Sequence, residues 1–176
     1  MIRLFLLQLL VLYISNSAFA VKPDFVVAKD GSGNFTTVQE AINAVPASGS
    51  KRTVIFIKNG IYKEKLTLPA NKTNVSFVGE DINKVILTYD DYASKQNEKG
   101  ANIGTTGSSS FFVYGDGFSA ENITFENSAG PVGQAVAVRV SADRISFKNC
   151  RFLGFQDTLY VHGAALKASS TIRIAI

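Results

Sequence analysis

The residues best suited to chemistry lie in Gly154-Phe155-Gln156-Asp157-Thr158-Leu159-Tyr160-Val161-His162-Gly163. A carboxylate stands there among apolar neighbours, directly after a glutamine. Apolar walls disfavour the ionised form of an acid, so Asp157 could hold its proton and act as a general acid. The amide of Gln156 could donate to a developing oxyanion without adding charge. A second amide, Gln134, sits in the otherwise apolar Gly133-Gln134-Ala135-Val136-Ala137-Val138. The alternative is a buried glutamine ladder whose members satisfy one another, and these residues alone leave both readings open. The single histidine, His162, reads as an ordinary strand-end residue.

The elements that must position these groups are mostly short strands. Residues 25–28 and 53–57 are strand-like, and residues 65–68 form a further strand stopped by Pro69. One short helix starts at Thr36-Thr37, where Thr37 and Glu40 match a capping box. Val38, Ala41, Ile42 and Val45 then fall on one face. After residue 53 the pattern predicts no further helix. Three segments, Asn74-Val75-Ser76-Phe77, Asn122-Ile123-Thr124-Phe125 and Arg144-Ile145-Ser146-Phe147, share one form: polar, β-branched, hydroxyl, Phe. Period-2 alternation puts the β-branched residue and the Phe on one face. The second and third segments start 22 residues apart, and Gln134 and Gln156 have the same separation.

Short strands recurring at a fixed spacing predict a solenoid, here a parallel β-helix with Ile and Phe ladders inside and asparagines at a bend. Neighbouring coils, about 4.8 Å apart, would then bring Gln134, Gln156 and Asp157 together. The competing architecture is an antiparallel sandwich, disfavoured by the scarcity of Asn-Gly and Asp-Gly hairpin loops. Residues 88–100 are polar and aperiodic and read as a protruding loop, whose Tyr89 and Tyr92 could stack on sugars or pack the loop itself.

Composition narrows the function classes. Hydrophobic residues make up 46% and charged residues 18% of the 176, which excludes a disordered polar chain. One cysteine and one histidine rule out a disulfide framework and a zinc cluster. Cys150 stands in a strand-like context and is expected to be buried. The net charge of +4, from 18 basic and 14 acidic residues, is scattered with no basic run, so no nucleic-acid partner is indicated. Residues 1–20 read as a secretory signal: Arg3, an apolar run over 4–14, and Ala18-Phe19-Ala20 as the cleavage pattern. That run is too short to span a membrane. A secreted protein with no membrane association after cleavage is the expectation. Four matches to the glycosylation acceptor pattern, at Asn34, Asn71, Asn74 and Asn122, are read as coincidental.

Gly60-Ile61-Tyr62-Lys63-Glu64, Asp116-Gly117-Phe118, Asn122-Ile123-Thr124-Phe125-Glu126-Asn127, Gly133-Gln134-Ala135-Val136-Ala137 and Gly154-Phe155-Gln156-Asp157-Thr158-Leu159-Tyr160 stand in an order that resembles the pectin methylesterase (pectinesterase) family. The likeness runs over residues 25–163. It implies an all-β, right-handed parallel β-helix with one short N-terminal helix. The implied activity is hydrolysis of methyl esters of polygalacturonate (pectin, homogalacturonan) to pectate and methanol, in cell wall modification or pectin catabolism. No metal, no organic cofactor and a monomer are implied.

By the same resemblance, Asp157 is the acid/base, Gln156 the transition-state amide, Gln134 a substrate-contacting amide, and Thr105 a substrate contact. The last match is looser, because Gly107-Ser108-Ser109-Ser110 departs from the plant-type wording. The family's next segment, holding a nucleophilic Asp, has no match here, and no Asp or Glu follows Asp157. The expected organisation is therefore a signal at 1–20, a partial β-helix domain at 21–163 with its stack incomplete at the C-terminal end, and an aberrant non-family tail at 164–176. The alternating residues 171–176 have the pattern of an edge strand. Such a chain is expected to lack esterase activity. The alternatives are a non-catalytic carbohydrate-binding β-solenoid and a purely structural one.

Overall fold

The structure, a computed structural model, describes residues 22–161 and 172–175. The expected signal peptide, His162 and most of the tail lie outside the described residues. Among the described residues, twelve strands and one α-helix follow one another. They are β1 (Phe25–Val27), α1 (Val38–Ala44), β2 (Thr53–Ile57), β3 (Gly60–Lys63), β4 (Leu66–Leu68), β5 (Val75–Gly79), β6 (Val85–Tyr89), β7 (Phe111–Val113), β8 (Ser119–Asn127), β9 (Val138–Val140), β10 (Ile145–Leu153), β11 (Leu159–Val161) and β12 (Ile172–Ala175). A 3-10 turn at Thr105–Gly107 is a helical element the sequence pattern did not indicate.

Every pairing between these strands is parallel. One face runs β1-β2-β5 and continues onto the first half of β8, the first half of β10 and β12. A second runs β3-β6 onto the second half of β8 and then of β10. The third is β4-β7-β9-β11. The chain therefore visits three faces per coil, as expected for a parallel β-helix.

Parallel strands cannot be joined by tight hairpins, so the chain must turn between faces within each coil and do so at the same place every time. Two of the turns are made by single left-handed residues. Asn74, Gly117 and Arg144 have φ of 56°, 73° and 56°, each two residues before the paired Ser76, Ser119 and Ser146. Asn122 and Asn149, at φ 59° and 48°, bend β8 and β10 in the middle, and Asn149 Nδ2 donates to Asn122 Oδ1 at 2.7 Å. Asparagine and glycine tolerate this conformation best. Below Asn122 stands Gly79, where a Cβ would come within 2.1 Å of the Asn122 carbonyl oxygen.

This geometry corrects the coil length. Ser119 pairs with Ser146 and Glu121 with Lys148, a step of 27 residues rather than 22. Phe125 pairs with Phe152, and Ile145 does not stack on Ile123. The three similar segments are real local signatures, each a left-handed residue followed by an alternating strand. They occur at two different corners five residues apart, and the sequence pattern cannot distinguish those corners.

Inside the coils the apolar residues form one continuous core. Phe111 stacks between Phe77 and Phe125 with centroids 5.6 and 6.0 Å away, and Phe152 stacks on Phe125 at 5.7 Å. Phe118 and Phe147 meet this column edge-on. The N-terminal end is closed by α1, which buries Val38, Ala41 and Ile42 as predicted. Thr37 caps it as expected, accepting from the Glu40 N–H at 3.3 Å. Glu64 adds to the cap: its two carboxylate oxygens accept from the Val38 and Gln39 N–H groups at 3.0 Å each. At the other end β12 pairs in register with β10, from Ile145↔Ile172 to Lys148↔Ala175. The edge-strand pattern of the tail is thus expressed. Cys150, expected to be buried, is half-buried in β10, and its burial pushes the thiol pKa up.

The polar loop at 88–100 is held firmly. Asp91 receives Lys65 Nζ at 2.5 Å and Lys95 Nζ at 2.6 Å. Burial pushes the Asp91 carboxyl up, but hydrogen bonds and charge from the two lysines outweigh it and hold the pKa below its ordinary value. The buried Asn127 amide donates to the carbonyls of Asp91, Ser108 and Val136 at 2.9, 3.1 and 3.0 Å, tying the loop to the next coil.

Three outcomes follow for stability, each read by urea denaturation. Asn122→Val should cost about 2 kcal/mol, because a β-branched residue at a left-handed corner is strained, while Asn122→Gly should cost about half that, through the lost side-chain bond alone. Phe125→Ala should cost about 3–5 kcal/mol by emptying the centre of the ring column. Asp91→Asn should cost about 1–3 kcal/mol at neutral pH. Because the folded pKa of Asp91 is depressed, its contribution is present above the unfolded value near 3.8 and is lost as pH falls through the folded value. Wild type should therefore lose more stability than Asp91→Asn on acidification below about pH 4.

Candidate active site

The chain passes from the second face to the third once per coil, and this is the corner where its length varies most. The connection is residues 64–65 in the coil of β3 and β4, 90–110 between β6 and β7, 128–137 between β8 and β9, and 154–158 between β10 and β11. All four expected site residues fall on this corner. Thr105 opens the 3-10 turn, Gln134 precedes β9, and Gln156 and Asp157 precede β11. None lies within a strand.

Backbone hydrogen bonds link the three connections. Ala93 N–H donates to the Gln134 carbonyl at 2.9 Å, and Gly104 N–H to the Ala93 carbonyl at 2.8 Å, which joins the segment leading to Thr105 to the Gln134 segment. Ala135 N–H donates to the Gln156 carbonyl at 3.3 Å, which joins Gln134 to Gln156 and Asp157. The two amides are thus on adjacent coils. Their register is offset by one residue from the expected match, because Val138 pairs with Leu159, 21 residues on.

The environment of Asp157 differs from the apolar pocket expected. Asp157, Gln156 and Gln134 are all exposed, and Phe155 beside them is 68% exposed. The physical reason is position: β11 is the last strand of the third face, so the turn carrying Asp157 has a neighbour on one side only among the described residues. Asp157 itself is left-handed, φ 60°, in a tight turn where Asp is one of the better-tolerated residues. The buried residues here are Ala135, Val136 and Ala137, which seat the Gln134 segment in the core.

The corner also contains groups that sequence reasoning missed. Asn127 is fully enclosed and bridges two connections, 90–110 and 128–137, through one amide. Lys65, Asp91 and Lys95 form an ion cluster whose members are 26 and 4 residues apart. No pattern in the sequence pairs them; an acidic pair in a polar loop was the only hint. Among the described residues, no group of three or more His, Cys, Asp and Glu is placed to hold a metal ion.

Comparison with known proteins places this geometry in a family. The family model described as pectinesterase matches residues 24–166. Pectinesterase 31 of Arabidopsis thaliana is 48% identical over 141 residues, 77% of this chain and 44% of that protein. Pectinesterase 5 of the same plant is 45% identical over 143 residues, 81% of this chain and 23% of its own length. Among solved structures, pectin methylesterase from carrot superposes with a TM-score of 0.72 at 43% identity, over 81% of this chain and 43% of that one. Pectin methylesterase PemA from Erwinia chrysanthemi gives 0.73 at 35% identity, covering 82% and 47%. The chain spans less than half the length of these relatives. With a matching sequence model and a matching right-handed parallel β-helix, the chain belongs to the pectinesterase family.

Proposed function

We propose that this chain carries the amide and acid/base part of a pectin-demethylating site, in a protein exported through the signal at residues 1–20. The observation that supports the reading is the alignment of Thr105, Gln134, Gln156 and Asp157 on one corner of three successive coils, tied together by backbone hydrogen bonds. A pectin methylesterase from the same family has been solved in complex with a hexasaccharide, at 36% identity to this chain, which supports a polygalacturonate substrate.

In this reading the ester carbonyl is attacked by a carboxylate, forming an acyl-enzyme, and methoxide must leave as methanol. Asp157 donates the proton to the departing oxygen and later takes one from the water that attacks the acyl-enzyme. Gln156 and Gln134 donate N–H groups to the oxyanion of each tetrahedral intermediate, and Thr105 contacts the sugar. Exposure of Asp157 suits the second half-reaction, in which water must reach it. The resemblance assigns the attacking carboxylate to a family segment that has no match in these 176 residues.

The 176-residue chain should therefore release negligible methanol from highly methylated pectin while still binding it, with Gln134→Ala and Gln156→Ala each weakening binding about tenfold or more. Methanol release abolished by Asp157→Ala would show that the attacking group lies within these residues and would overturn the reading that the chain carries only part of the site. Absence of any affinity for methylated oligogalacturonate would overturn the pectin reading itself.

A further inference from the structure

The 3-10 turn that opens at Thr105 has each of its carbonyls taken by a defined donor. Thr105 accepts from the Ser108 N–H at 3.2 Å and from Ser108 Oγ at 2.8 Å. Thr106 accepts from Arg139 Nη1 at 3.5 Å, and Gly107 from Lys65 Nζ at 2.9 Å. Arg139 stands in β9, one coil after the turn, and Lys65 stands one coil before it. A serine that closes a turn on the carbonyl three residues back is a common local device. Ser108 does more, because it is fully buried and its Oγ also accepts from the Val136 N–H at 3.2 Å.

That second bond reaches the neighbouring connection, two residues after Gln134. The backbone donors around it alternate in direction. Ala135 and Ala137 send their N–H groups onward, to the Gln156 and Thr158 carbonyls at 3.3 and 3.1 Å. Val136 sends its N–H back, to Ser108. One hydroxyl therefore stands where a ladder carbonyl would, accepting from the Gln134 segment and spending its single proton on the Thr105 carbonyl. The next residue provides a contrast: Ser109 Oγ is equally enclosed, yet among the described residues it has no hydrogen-bond partner. Ser108 also lies in residues 107–110, where this chain departs from the plant-type wording of the resemblance.

We propose that Ser108 is a positioning residue of the candidate site, fixing the Thr105 turn against the Gln134 segment. The two substrate contacts then stand at a preset separation before a ligand arrives, and ordering them costs nothing on binding. Ser108 touches no substrate and acts through Thr105. With its hydroxyl removed, the Val136 N–H is left buried without its acceptor, and the turn keeps only its backbone closure and is free to shift away from Gln134. The inference rests on the polygalacturonate reading of the site and adds the residue that sets its geometry.

The test measures binding of fully methyl-esterified hexagalacturonate to the 176-residue chain by calorimetry. The proteins compared are wild type, Ser108→Ala, Ser109→Ala, Thr105→Ala and the double variant Ser108→Ala/Thr105→Ala. Ser108→Ala and Thr105→Ala should each weaken binding about fivefold, and the double variant should bind no more weakly than either. Ser109→Ala removes an equally buried hydroxyl and should leave affinity unchanged. A serine with a merely structural role would lower urea stability and add its affinity loss to that of Thr105→Ala. Additive losses, or wild-type affinity in Ser108→Ala, would therefore overturn the positioning role. If Gln134→Ala still weakened binding, the pectin reading would survive that result. Failure of the wild-type chain to bind the oligomer would overturn the reading and the inference with it.

Discussion

Every backbone hydrogen bond that defines a strand in this molecule runs between one coil and the next. No coil can satisfy its own N–H and C=O groups, so each depends on its neighbours holding the same register. That constraint fixes where the chain can bend. Asn74, Gly117 and Arg144 stack at one corner, and Asn122 and Asn149 at another, because a bend displaced by one residue would turn the following side chains from core to solvent. At the third corner the strands are interrupted and the connection is free to lengthen. The candidate chemistry collects there for that reason: two corners are committed to geometry, and the third can carry loops without breaking a ladder.

A long polar connection on such a corner needs internal anchorage if it is to present a binding residue in a defined place. Residues 90–110 obtain it from two buried polar groups. Asn127 places one amide against three carbonyls, two from residues 90–110 and one from the next connection, and Asp91 places one carboxylate between two lysines. Loss of either would leave buried groups unpaired, which is costlier than the bonds are favourable. The 3-10 turn carrying Thr105 follows from this anchorage.

The two ends of the stack are treated differently. At the first, α1 covers the core, and Gln39 completes the β4 edge by accepting from the Thr67 N–H and donating to the Thr67 carbonyl at 2.8 and 3.1 Å. At the other, β12 extends the first face, while β11 leaves Val161 44% exposed on the third. The exposed Asp157 lies on that same last turn. Its setting differs from the apolar pocket read from its neighbours in sequence because that turn has a neighbouring coil on one side only among the described residues, which leaves Phe155 exposed as well.

The amino-acid sequence by itself determined the architecture and the identity of the groups. The β-branched run at residues 53–57, the helix face of Val38, Ala41 and Ile42, and the Phe-terminated segments are local patterns legible in one dimension. The motif around Gln156 and Asp157 likewise carried the family resemblance. Only the tertiary structure decided the register. A 22-residue repeat and a 27-residue coil fit the same segments, because a left-handed residue before an alternating strand looks alike at either corner. The strands β3, β6 and β7 were missed for a related reason: they are three to five residues long and owe their existence to the coils beside them rather than to their own propensity. The Lys65–Asp91–Lys95 cluster and the buried Asn127 were invisible for the same cause. Charges and amides declare their partners only once separate coils are stacked, and stacking is a property of the whole chain.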